Sequence, residues 1–447
     1  MLRAMTISGL LGRLGLDRPE LRAWAMYDWA ISGFQTIVMT AVFPIFFARV
    51  PAGLLSPPEA TARYADLNTL YLAVVALLSP VLGAVADYMG IARRMLFCFM
   101  LLGVVSTAGF ALIGPGDLQL ASVLFVLAMI GATTSFVFYE SLLPRLAAPG
   151  EVDRVSSAGY ALGYIGGGIL LAVCLVAIQF PQAVGLGEGG RGLATRLTFV
   201  ATAMWWLVFA IPLFRRVPEL PRLIEREETP GVNPVRAAFS RLGETFRSLR
   251  EFRQAFLLLA AFLVYNDGIQ TIIKMATAYG AEIGIPDSAM MLAILIVQFV
   301  GVPCAFLFGA LAGRIGAKPA ILLGLAVYTL ISIVGYSMRT AGQFFVLAAM
   351  VGLVQGGTQA LSRSLFASMT PAHKSAEFFG FYSVFEKFAG IFGPLFFAIS
   401  IRMTGSSRNA ILSVIAFFVV GGLLLLFVNV DEGRRAAREA EALVGTL

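Results

Sequence analysis

The chain alternates between long apolar stretches and short polar loops from one end to the other. Each apolar stretch is about twenty residues long, which is the length that spans a bilayer as an α-helix. A membrane β-barrel would show short segments of alternating hydrophobicity instead. The pattern predicts twelve transmembrane helices, near residues 23–47, 66–88, 94–113, 118–142, 157–180, 196–214, 255–280, 289–312, 319–338, 343–366, 377–401 and 409–430.

The predicted spans fall into two sets of six, separated by a charged segment that contains four prolines. Within this segment, residues 235–250 are predicted to form an amphipathic helix. The two ends of the chain are polar and are predicted to lie in the cytoplasm. The predicted organisation is an N-terminal segment 1–22, a first bundle 23–214, a linker 215–253, a second bundle 254–430 and a tail 431–447.

Composition agrees with an integral membrane protein. The chain is 58% hydrophobic and 13% charged, and its mean hydropathy is +0.84, whereas soluble domains carry about 25% charged residues. The net charge of +7 comes from basic residues in loops and not from a stripe on one helix face, so nucleic-acid binding is not expected. Most of these residues lie in the segments predicted inside, which predicts cytoplasmic termini and a bacterial inner (plasma) membrane location.

Several kinds of chemistry find no support in the sequence. The three cysteines, Cys98, Cys174 and Cys304, lie in apolar runs without CxxC spacing, so we expect reduced thiols and no metal site. No GxxxxGK[ST] loop occurs, which disfavours transport driven by nucleotide hydrolysis. No nucleophile, base and orienting group stand at a recognisable spacing. We therefore expect neither an enzyme nor a bound cofactor.

A carboxylate lies inside the first predicted span. Asp28, Ser32 and Gln35 stand at positions i, i+4 and i+7 of this span, so they share one helix face. An ionisable group inside a membrane helix is costly unless it faces protein or water, and it usually marks a functional site. Asp28 is therefore a candidate functional residue.

The two halves of the chain repeat each other. Gly83 and Gly309 each begin a GAxAxxxG sequence, at a shift of 226 residues. The sequence Tyr27-Asp28-Trp29 corresponds to Tyr265-Asn266-Asp267 at a shift of 238 residues. Parallel repeats of six helices are typical of transporters in which the substrate site lies between the halves.

These motifs resemble a known family. Gly83, Asp87, Gly90, Arg93 and Arg94 resemble the loop motif of the major facilitator superfamily. Five segments resemble its unknown major facilitator family branch, whose fungal relatives are the autophagy-related vacuolar amino-acid effluxers: residues 24–34, 159–168, 265–272, 360–367 and 377–394. The resemblance implies an all-α membrane fold with twelve helices in two pseudo-symmetric six-helix bundles.

The resemblance also implies that the first, fourth, seventh and tenth helices line a central cavity. Each of these helices carries a polar stripe. For Asp267 we hypothesise proton coupling or recognition of a substrate cation, while Lys274 pairs with Asp267 or binds a substrate carboxylate. The predicted substrate or coupling residues are Asp28, Ser32, Gln35, Asn266, Asp267, Gln270, Lys274 and Gln359.

A second group of charges is predicted to form a gate on the cytoplasmic side. Aligning 139–142 with 362–365 places Glu140 and Arg363 at equivalent positions in the two halves. Buried ion pairs gain little net stability, so they suit an element that must break and reform. The predicted gating residues are Glu140, Arg363, Glu386 and Lys387.

The sequence favours a secondary active transporter that works by alternating access. The first expected substrates are amino acids, as small polar metabolites, and the expected direction is export, with proton coupling as a hypothesis. The alternatives are a proton-coupled exporter of drugs or lipids and, in another class, a lipid scramblase or a non-transporting sensor. We expect a monomer whose partners are a small-molecule substrate, membrane lipids and protons.

Overall fold

The structure is a computed structural model, and it describes residues 11–12, 14–147, 151–187, 189–219, 243, 246–371, 378, 382, 385–386 and 388–445. In this part of the chain every regular element is a helix. The elements of the first half are α1 (Pro19–Phe34), a π-helical segment (Gln35–Ala41), α2 (Phe43–Arg49), α3 (Pro57–Met89), α4 (Ala92–Gly109), α5 (Leu118–Leu146), α6 (Val152–Gln179) and α7 (Arg191–Arg216).

The second half contains seven further helices, the last of which lies in the predicted tail. Nine helices in the described residues are long and apolar enough to cross a membrane, and α3, α9 and α12 are not among them. The predicted count of twelve spans therefore stays a prediction. The helices are α8 (Arg253–Glu282), α9 (Asp287–Ile315), α10 (Ala317–Ser337), α11 (Ala341–Ala367), α12 (Phe392–Thr404), α13 (Ser407–Leu426) and α14 (Val430–Gly445).

The chain divides into two compact units. Unit 1 comprises residues 1–54 and 77–235, and unit 2 comprises residues 55–76 and 236–447. The outer end of α3 thus clusters with unit 2, although sequence analysis assigned it to the first bundle. Within unit 2 this segment is attached by an ion pair between Asp66 and Arg402. The predicted bundle boundaries stay predictions.

Glycine ends the second helix of each repeat. Gly90 follows α3 with φ of 64°, and Gly316 follows α9 with φ of 93°. Both values lie in the left-handed region, which glycine enters without the steric cost of a Cβ atom. The final glycine of each GAxAxxxG sequence therefore has a conformational role.

Small residues bring helices into close contact in unit 1. A Cβ atom on Gly131 of α5 would lie 2.5 Å from the backbone nitrogen of Gly103 on α4. Such contacts between backbones are a common way for membrane helices to associate, because they maximise van der Waals packing. The aromatic core beside them includes Trp206, whose indole is fully buried.

Three predicted elements differ in detail. The eleventh span, predicted over 377–401, is interrupted at 389–391, where Gly390 has φ of 100°; most of its first half lies outside the described residues. The predicted tail contains the helix α14, and Glu432 accepts a hydrogen bond from Gln254 of α8 at 2.8 Å. Of the predicted linker helix, residues 243 and 246–250 are described and are helical.

Candidate functional site

Asp28 lies in a closed aromatic environment in unit 1. Its carboxylate Oδ2 accepts a hydrogen bond of 2.8 Å from the hydroxyl of Tyr139 on α5, and the residue is 4% exposed. The ring of Trp24 stacks on Tyr139 at 4.5 Å, and its indole N–H donates to the Tyr139 carbonyl. No cation of the described chain forms an ion pair with Asp28. The carboxylate thus depends on one neutral donor.

The polar face of α1 packs against glycines of α6. A Cβ atom on Gly159 would lie 2.5 Å from Asp28 Oδ2, and one on Gly163 would lie 2.5 Å from Ser32 Oγ. The structure therefore places both predicted residues at a helix interface. Gln35, the third predicted residue of this face, is half-buried and begins the π-helical segment, where the helix register changes.

Equivalent hydrogen bonds join the first and fourth helices of each half. The Tyr27 hydroxyl donates to Ser135 Oγ at 3.0 Å in unit 1, and Tyr265 and Ser362 share a hydrogen bond of 2.5 Å in unit 2. The tyrosines are 238 residues apart in sequence, and the serines are 227 apart. The repeat deduced from sequence for the fourth and tenth helices is thus displaced by four residues, about one turn.

A second pair of contacts supports this register. Gly166 of α6 lies against Trp29, and Gly393 of α12 lies against Asp267. These residues are again related by shifts of 227 and 238. The proposed equivalence of Glu140 and Arg363 is therefore wrong in the structural alignment, because Tyr139 and not Glu140 aligns closest to the Phe366 turn.

The predicted gating residues remain without a structural test. Glu140 is half-buried on α5, Arg363 is exposed on α11, and Glu386 is half-buried in a helical position. Lys387 lies outside the described residues. Their pairing across the cytoplasmic side stays a prediction.

Asp267 binds the beginning of a broken helix in unit 2. The residue is 1% exposed, and its two carboxylate oxygens accept hydrogen bonds from the backbone N–H groups of Phe392 at 3.0 Å and Gly393 at 2.6 Å. The first N–H groups of a helix have no partner within the helix, and the positive end of the helix dipole favours an anion there. Asp267 therefore caps α12.

Lys274 lies two turns further along α8 and is 3% exposed. Its Nζ atom lies 5.9 Å from the ring centroid of Tyr71 on α3, within unit 2. An ion pair with Asp267 would require a distance within 4.0 Å, and none is formed between these two described residues. Gln270, which is half-buried, and Lys274 both border Gly390.

A polar pair joins α8 and α11. Gln359 donates to the side-chain oxygen of Asn266 at 3.4 Å, and Asn266 is fully buried. The Nδ2 group of Asn266 has no hydrogen-bond partner in the described part of the chain. An unsatisfied buried donor costs about 1–3 kcal/mol, so this amide offers a polar molecule a place to bind.

The loop motif anchors helix ends within unit 1. The Arg93 guanidinium donates to the carbonyls of Phe214 at 3.3 Å and Val217 at 2.7 Å, at the end of α7. Glu219 forms ion pairs with Arg93 at 3.5 Å and Arg94 at 3.7 Å. Gly83 is half-buried in α3, and the side chain of Asp87 lies outside the described part of the structure.

The second half repeats this anchor with a different base. Lys318 Nζ donates to the carbonyls of Leu426 at 2.8 Å and Val428 at 2.9 Å, at the end of α13. Sequence reasoning missed this role, as it missed Tyr139 and Glu219. The position of Lys318 immediately after the second GAxAxxxG sequence was the signal that could have revealed it.

Comparison with known proteins identifies the family. A family model described as "Vacuole effluxer Atg22 like" matches residues 59–153 and 148–438. The uncharacterized MFS-type transporter YxiO of Bacillus subtilis (strain 168) is 36% identical over 407 residues, which cover 91% of this chain and 94% of YxiO. Autophagy-related protein 22 of Coccidioides immitis (strain RS) is 24% identical over 547 residues, with 96% and 90% coverage.

Solved structures agree with the predicted fold. A bacterial homolog of the human lysosomal transporter Spinster matches with a TM-score of 0.61 and 15% identity, covering 94% of this chain and 96% of that one. A D-xylose-proton symporter matches with a TM-score of 0.63 and 16% identity, covering 92% and 96%. The predicted fold class is confirmed, and the chain belongs to the Atg22-like effluxer family of major facilitator transporters.

Proposed function

We propose that this protein is a secondary active transporter that exports small polar metabolites, with amino acids as the first class, by alternating access. It acts as a monomer in a bacterial plasma membrane, with both termini in the cytoplasm. The names of the relatives support this direction, since the family model is called an effluxer. The protein performs no covalent chemistry on its substrate in this proposal.

The observation that carries a polar substrate is the unsatisfied amide of Asn266. Asn266 and Gln359 are neighbours on helices that the family uses to line its cavity, and the Nδ2 group of Asn266 lacks an acceptor among the described residues. A site built from buried hydrogen-bonding groups discriminates strongly against molecules that leave those groups unpaired. An apolar drug or a lipid chain would leave the amide unsatisfied.

We further propose that transport is coupled to protons at Asp28. Asp267 is less suited to this role because two backbone N–H groups and a helix terminus stabilise its charged form. Asp28 has one hydroxyl donor and no ion pair with the described residues. The titratable groups that act on it are Tyr139 and Glu140 of α5, and Tyr160 of α6 acts on Tyr139. Keeping an unpaired buried carboxylate ionised is costly, so Asp28 is suited to bind and release a proton.

Proteoliposomes with an imposed pH gradient test the proposal. The purified protein is screened with the twenty amino acids, short peptides and cationic drugs, and lipid flipping is measured in the same vesicles. Amino-acid flux that depends on the gradient is expected, and protein-free vesicles are the control. Drug flux alone, or lipid flipping without flux of any solute, would replace the proposal with a drug exporter or a scramblase.

A further inference from the structure

The break before α12 brings together three residues of unit 2 that the proposed function does not yet use. Lys274 is 3% exposed and Tyr71 is 1% exposed, and the ammonium of the lysine lies 5.9 Å from the tyrosine ring centroid. Gly390 completes the group, since a Cβ atom there would lie 2.8 Å from Lys274 Nζ. The ammonium is therefore directed at the break in the eleventh span.

The ammonium of Lys274 has no acceptor. A protonated lysine has three N–H donors, yet Lys274 donates no hydrogen bond to any described residue, and its aromatic neighbour supplies only a weak cation–π contact. The nearest acid, Asp267, uses its oxygens to accept the N–H groups of Phe392 and Gly393. Burying a charge without a partner is costly, and charges inside a membrane protein usually mark a substrate or ion pathway.

The charges at the break favour an additional anion. The N-terminus of α12 carries the positive end of a helix dipole, equivalent to about half an elementary charge, and Lys274 adds a full positive charge. Asp267 supplies one negative charge. Gly390 adopts φ of 100°, a conformation that favours glycine, and this position without a side chain leaves the ammonium accessible from the break.

We propose that Lys274 binds the carboxylate of the transported metabolite at this break. The inference rests on the proposed function and names the chemical group that the site recognises. The ligand class is a small molecule with one carboxylate, which accepts the unused N–H groups of the ammonium as charge-assisted hydrogen bonds. An amino acid satisfies this requirement, whereas its α-amide lacks the anionic acceptor.

Binding measurements on detergent-purified protein test the subsite without requiring transport. The thermal shift caused by each of the twenty amino acids is compared with that of its α-amide, for the wild type, Lys274→Met, Lys274→Arg and the control Arg339→Met, an exposed cation of unit 2. Loss of a charged hydrogen bond costs about 1.5–3 kcal/mol, so we expect roughly 10- to 100-fold weaker amino-acid binding by Lys274→Met. Lys274→Arg should retain the preference for the acid over its amide.

A chemical protection experiment on the wild type covers the case in which Lys274→Met fails to fold. The chain has four lysines, so acetylation at each can be followed by mass spectrometry. An amino acid should slow acetylation of Lys274 several-fold relative to its amide, with Lys318 as the internal reference. Equal acetylation rates, or an unchanged acid preference in folded Lys274→Met, would overturn the subsite alone. Absence of binding and flux for every amino acid would instead overturn the proposed function.

Discussion

The hydroxyl of Tyr139 donates a hydrogen bond to the carboxylate of Asp28, 111 residues earlier in the chain. This bond joins α5 to α1 inside unit 1, and both residues are almost fully buried. The carboxylate has no other printed-sequence neighbour of opposite charge to stabilise it, since the adjacent turn supplies Trp24 and Tyr27. Its environment is therefore set by the phenol.

Replacing Tyr139 by Phe should destabilise the protein and slow transport. The substitution removes the donor and leaves the carboxylate unpaired, which costs about 1–3 kcal/mol. The thermal unfolding midpoint should fall, and Tyr336→Phe, at an exposed tyrosine, should leave it unchanged. If Asp28→Asn is introduced first, Tyr139→Phe should cost less, because no ionisable group remains to be satisfied. Equal costs in both backgrounds would contradict the role of this bond.

Asn substitutions at the two buried aspartates should have different effects. Asp28→Asn should abolish accumulation driven by a pH gradient while preserving exchange of substrate without a gradient, because the amide cannot carry the proton. Asp267→Asn should preserve the pH dependence of transport and lower stability, since an amide oxygen replaces a carboxylate that accepts two N–H groups of α12. Counterflow and gradient-driven uptake in proteoliposomes measure both. Loss of pH dependence in Asp267→Asn alone would move the coupling site to unit 2.

The sequence predicted the helices and the general location of the site, and it failed where the answer depended on how helices pack. Hydrophobic length was enough to locate most spans, and Asp28 was identifiable because a carboxylate is rare in such a span. Its bond to Tyr139 was not, because that contact depends on the rotation of α5 about its axis. A register that differs by one turn changes which residues of two repeats correspond.

The role of Asp267 was missed for a different reason. Residues 377–401 are apolar enough to suggest one continuous helix, and a continuous helix offers no free N–H groups at its centre. The interruption at Gly390 creates them. The nearby Gly393 and Pro394 were the available signal, because such residues often mark the end of one helical segment and the beginning of another.

Glycines of α6 should tolerate no side chain where they meet α1. Gly159→Ala and Gly163→Ala would place a Cβ atom 2.5 Å from an oxygen of Asp28 and of Ser32, respectively. Overpacking of this kind costs about 1–3 kcal/mol, so both variants should unfold at a lower temperature. The matched control is Gly187→Ala, where nothing lies within 4 Å of the added atom. An unchanged midpoint in both α6 variants would show that α1 and α6 pack less closely than described here.

Arg93 and Lys318 should act as equivalent and independent anchors. Each donates to two carbonyls at the end of the last membrane helix in its own half, Arg93 at α7 and Lys318 at α13. A cation at a helix C-terminus contributes about 0.3–1 kcal/mol through the dipole, and its hydrogen bonds add to this. Arg93→Ala and Lys318→Ala should each lower the unfolding midpoint. Because the two sites share no partner, the double variant should show additive losses, and strong non-additivity would indicate that the loop motif couples the two halves.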